Sequence, residues 1–114
     1  MTADVLERLS ELDREALMER MAQELPEILG SLGISRDILA DKTGVDVSKI
    51  KAAEAGRRIF KWSEFMSILF VIWNNDIGRG MLEKKGLFPA VLKEAMSINR
   101  NAHAPVTEAS KYGL

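Results

Sequence analysis

The sequence predicts an all-α fold of about five helices, with an accessory helix before them and a tail after. Apolar residues recur at intervals of three and four through residues 17–32 and 62–73, the spacing of a buried helix face. Between those stretches, Ser35 and Asp46 stand where helices would start, and Gly44 and Gly56 where they would stop. The composition, 46% hydrophobic and 29% charged, is that of a soluble globular domain, and 114 residues suffice for one core.

Residues 1–12 read as the accessory helix. Val5, Leu6, Leu9 and Leu12 make an apolar stripe, and Asp4 with Glu7 resembles a capping box. The stripe packs either on its own domain or on a second copy of the chain. The domain proper spans 13–98. Asp13 can cap a longer helix carrying Leu17, Met18, Met21, Ala22, Leu25, Ile28, Leu29 and Leu32. Pro26 lies inside that pattern, so the helix is kinked there or divided near 23–25.

The next stretch, Gly33 to Arg58, reads as two short helices and a basic loop, with the motif at 35–55. Ser35 caps the first helix, Ile38 and Leu39 face inward, and Ala40 is small enough for a second helix to cross closely. Gly44 makes the turn because a left-handed backbone suits a residue without Cβ. Val45 plugs the turn, Asp46 caps the second helix, and Ile50, Ala53 and Glu54 share one face of it. In residues 61–75, Trp62, Phe65, Met66, Leu69, Ile72 and Trp73 form one helical face, while Ile68, Phe70 and Val71 add apolar surface elsewhere. A helix apolar nearly all round requires cover nearly all round. Asn74 to Gly80 reads as a turn, Met81 to Lys85 as a helical turn, and Gly86 as a break. Pro89 suits the first turn of a last helix, with Phe88, Val91, Leu92 and Met96 inward. The tail, 99–114, has no apolar period and reads as mobile.

Charge is uneven along the chain. Residues 1–32 hold three basic and eight acidic residues, residues 33–62 seven and four, and residues 63–114 six and five, for a net charge of −1. The positive excess therefore falls on the paired short helices, where a phosphate backbone would be met.

Catalytic chemistry has no candidate. The chain has no cysteine, and its one histidine, His103, lies in the tail. Asp37 and Asp41 sit one turn apart, as solvated pairs commonly do. No metal site and no cofactor are expected. The acidic N-terminus is unlike a secretory signal, and the run Ile68–Trp73 is far shorter than the ~20 residues that cross a bilayer. A cytoplasmic protein is the expectation.

Gly33, Ile34, Ser35, Leu39, Ala40, Gly44, Val45, Ile50, Glu54, Gly56 and Arg58 stand in one spaced order. That order resembles the lambda repressor-like, or XRE-type, helix-turn-helix DNA-binding family. Asp46 replaces the usual Ser, and Arg57 the usual Lys. The resemblance implies double-stranded DNA as partner, the helix 46–55 in the major groove, and a small transcriptional regulator, a repressor in the first instance, acting as a homodimer. It implies base-facing positions at Val47, Ser48 and Ala52. None of these is the Gln, Asn or Arg that makes bidentate base contacts, so base selectivity is expected to be modest. Lys51 or Lys49 is then the candidate for a guanine contact. Phosphate contacts are implied for Ser35, Arg36, Lys49, Arg57 and Arg58. The alternative is a protein-interaction module of the same fold that has lost DNA reading.

Overall fold

The computed structural model describes residues 14–98. The predicted helix at 4–12, the tail and His103 lie outside them. Six helices and no strand are present among the described residues: α1 (Arg14–Leu32), α2 (Arg36–Thr43), α3 (Val47–Glu54), α4 (Trp62–Trp73), α5 (Asp76–Lys84) and α6 (Ala90–Met96). The all-α expectation holds.

Leu17, Met21, Leu25, Ile28 and Leu29 put one face of α1 into the core. Pro26 does not divide this helix, which is continuous through it. The ring is on the exposed side, and the buried residues on either side of it hold both halves against the core. Ser35 caps α2 as predicted, its Oγ accepting from the Ile38 N–H at 3.2 Å. Gly44 ends α2 at φ 80°, and its N–H donates to the Ala40 carbonyl at 2.8 Å. Asp46 caps α3, accepting from the Ser48 N–H at 3.1 Å. Leu39, Val45, Ile50 and Ala53 are buried between the two helices and the rest of the core. Ile38, expected inward, is instead 43% exposed; Leu39 is the buried residue of α2, with half-buried Ala40 packed against the core beside it.

Phe65, Ile68, Leu69 and Ile72 of α4 are buried against α1, α2 and α5. Among the described residues those three helices leave one side of α4 open. Phe70, on that side, is 69% exposed.

The turn expected over Asn74–Gly80 shrinks to two residues. Asn75 caps α5, its Oδ1 accepting from the Gly78 N–H at 3.0 Å, and the helix runs on from Asp76 through both glycines. Gly78 is there for proximity and not for a turn. A Cβ on it would lie 2.3 Å from the Ile72 carbonyl oxygen and 2.8 Å from the Ile72 Cγ2. Pro89 is one position earlier than expected, at the N-cap of α6, and Met96 faces outward, 49% exposed, while Leu87 and Leu92 take the buried places. Lys85 closes the α5–α6 loop on α1, with Nζ 2.8 Å from both Glu24 and Glu27.

Candidate nucleic-acid interface

Ile50 and Ala53, at 0% and 3% exposure, anchor one side of α3 in the core. The other side follows from helical periodicity. Ser48, Lys49, Lys51 and Ala55 are exposed, and Val47 and Ala52 are half-buried. The ridge has small residues along its crest, which lets a helix approach a surface closely. Ser48 donates its hydroxyl proton to Asp46 Oδ1 at 3.1 Å, so its oxygen faces outward as an acceptor. The Asp46 carboxyl is held below its usual range, first by the Ser48 N–H and then by that hydroxyl.

The two lysines stand on opposite flanks of the ridge. Lys51 shares a depression of about 460 Å³ with Pro26, Arg36, Glu54, Ala55 and Arg57. Three cations and one carboxylate meet there. Lys49 lines a second depression of about 230 Å³ together with Asp46, Ser63, Glu64 and Ser67, where the balance of charge is acidic.

The predicted phosphate-binding residues divide into two groups. Lys49, Lys51 and Arg57 are exposed, and among the described residues none has a carboxylate partner within 4.0 Å. Ser35 is exposed at the α2 cap. Arg36 and Arg58, by contrast, are engaged within the fold. Arg36 places Nε 2.7 Å and Nη2 2.5 Å from Glu54 Oε1, tying the start of α2 to the end of α3. Its side chain is still 41% exposed, so one edge of the guanidinium faces solvent. Arg58 is turned further in, with Nη1 3.2 Å from Glu64 Oε1 and a side chain 24% exposed.

Sequence reasoning placed Glu54 on the inward face of α3 and missed what that requires. A carboxylate at the edge of a core needs a cation, and Arg36 is the one in reach. Glu64 was missed altogether. Burial pushes its carboxyl up, but the Lys61 N–H at 2.8 Å and the Arg58 guanidinium outweigh that and hold it below the usual range. The signal was present as a glutamate three residues after Lys61, the N-cap of α4, where it can reach back to the free N–H of that residue.

Among the described residues no group of histidine, cysteine or carboxylate side chains has the arrangement to hold a metal ion, and no helix is long and apolar enough to cross a membrane. No family model, no curated protein and no solved structure matches this chain.

Proposed function

We propose that the chain is a lambda repressor-like helix-turn-helix protein that binds double-stranded DNA, with α3 in the major groove, and acts as a small transcriptional regulator. The observation that carries this reading is the α3 ridge itself. It is anchored by Ile50 and Ala53, small along its crest, and flanked by Lys49, Lys51 and Arg57 with no internal partner among the described residues. Such a ridge fits the groove floor while ammonium and guanidinium groups reach the phosphates. Ser48 offers an acceptor to a base amino group, and Val47 and Ala52 offer methyl contact to thymine. A two-fold dimer on a pseudo-palindrome suits so small a module.

The internal pairs of Arg36 and Arg58 refine the expected electrostatics. Five cationic contacts, from Arg36, Lys49, Lys51, Arg57 and Arg58, would give a slope of log affinity against log salt of about −4.5 per subunit, at about −0.9 per contact. With Lys49, Lys51 and Arg57 as the free cations, the slope is about −2.7. Fluorescence anisotropy of a labelled random duplex between low and moderate salt measures it. No binding at low salt, or a slope near zero, would overturn the reading.

A second reading keeps the fold and replaces DNA with a protein partner. What favours it is the absence of any bidentate base-reading side chain at Val47, Ser48 and Ala52. Under that reading, the random duplex is not bound at any salt concentration.

A further inference from the structure

Asp46 and Ser48 stand together at the leading end of the α3 ridge, and both are exposed. Oδ1 of Asp46 accepts twice from Ser48, from its N–H and from its hydroxyl, each at 3.1 Å. The Asp46 carbonyl accepts from the Lys49 and Ile50 N–H groups at 2.9 and 3.1 Å. The N–H groups of Ser48, Lys49 and Ile50 are therefore taken, and so is the hydroxyl proton of Ser48. What these two side chains present outward is acceptors: the carboxylate of Asp46 and the lone pairs of Ser48 Oγ.

We propose that Asp46 and Ser48 are specificity-determining residues that select a cytosine in the major groove. The proposal rests on the DNA reading given above and deepens it. When such a helix docks, its leading residues meet base edges, so these acceptors face the groove floor. Guanine shows two acceptors there, O6 and N7, and thymine shows O4, all of which repel a carboxylate oxygen. Adenine shows its N6 amino group beside the N7 acceptor, so a pair of acceptors meets one favourable and one unfavourable neighbour. Cytosine shows a donor, the N4 amino group, with no acceptor beside it, and a carboxylate is its natural partner.

Helix capping alone does not call for the charge. Asn or Ser caps a helix about as well as Asp, without placing an anion on a face that meets phosphates. Lys49 lines the same depression as Asp46, so an ammonium group beside the carboxylate offsets part of that repulsion. The selectivity missing from Val47, Ser48 and Ala52 as single side chains thus comes from the cap and Ser48 acting together, through the hydroxyl that Asp46 orients.

The test is selection of bound duplexes from a random pool at low salt by the full chain, as wild type, Asp46→Asn, Ser48→Ala and Lys51→Ala. Wild type is expected to enrich cytosine at one position of the bound sequences by about fivefold or more, the low end of what a good base contact contributes. Asp46→Asn keeps the cap but exchanges a carboxylate oxygen for an amide donor. It is expected to abolish the cytosine enrichment while strengthening binding to the unselected pool, because an anion has left the DNA face. Ser48→Ala, which leaves the Asp46 carboxylate in place, is expected to reduce the enrichment. Lys51→Ala is expected to weaken binding to the whole pool and to keep the cytosine, which separates an acceptor reading cytosine from an ammonium reading the guanine paired with it. Circular dichroism checks that each variant keeps its helix content. Duplexes bound with no cytosine-enriched position overturn the proposal and leave the DNA reading standing. So does an enrichment that Asp46→Asn or Ser48→Ala leaves unchanged, or one that Lys51→Ala removes. Recovery of no duplex at all overturns both.

Discussion

Gly78→Ala is expected to destabilise the fold by about 3 kcal/mol, whereas Gly80→Ala, two residues on, is expected to stabilise it by about 0.5–1 kcal/mol. Both glycines lie inside α5, and helix propensity alone would favour alanine at each. Position decides the sign. The Cβ of an alanine at 78 would stand 2.3 Å from the Ile72 carbonyl oxygen. That oxygen belongs to backbone and cannot rotate aside, so α4 and α5 must separate. Ile72 and Leu82, both at 0% exposure, would lose packing as they did. At 80, nothing lies within 4 Å of the added methyl. Urea unfolding of the two variants gives both values. A midpoint shift of about 1–3 M downward for Gly78→Ala and of some tenths molar upward for Gly80→Ala is the expected pattern, with an unchanged slope for the second.

Replacing Lys49, Lys51 and Arg57 together by alanine is expected to weaken DNA binding several hundredfold at about 0.1 M salt, since each phosphate contact contributes about 0.9 log units there. The fold should hardly notice. All three side chains are exposed and have no carboxylate partner among the described residues, and exposed charges generally contribute little to stability. Arg58→Ala should behave in the opposite way. It removes the cation from Glu64, a carboxylate of which only 11% of the side chain is exposed, so the larger effect is on stability and the smaller on binding. Anisotropy titrations and thermal melts on the same samples separate the two classes.

Much of the architecture was legible because the residues that set it act locally. Ser35, Gly44 and Asp46 cap or turn the chain through atoms within a few residues of themselves, and the structure has them doing so. The three-four spacing of α1 and α4 located their buried faces for the same reason. The misreadings have a common cause, which is dependence on a distant neighbour. Gly78 looks like a turn residue until Ile72 is seen against it. Phe70 reads as apolar surface that needs cover, and among the described residues α1, α2 and α5 leave it exposed. At the interface, the exposed ridge of α3 could be drawn from the wheel, since Ile50 sets its orientation. The pairing of Arg36 with Glu54, 18 residues away, and of Arg58 with Glu64 could not, and these pairs decide which cations are free.

The most direct measurement is the footprint of a duplex on the protein, by amide chemical-shift mapping of the labelled chain with a short random duplex at low salt. The largest changes are expected along α3 and the loop after it, at Val47, Ser48, Lys51, Ala52 and Arg57, with Leu32, Ile34 and Phe70 undisturbed. Changes confined to the Phe70 face, or none along α3, would contradict the account.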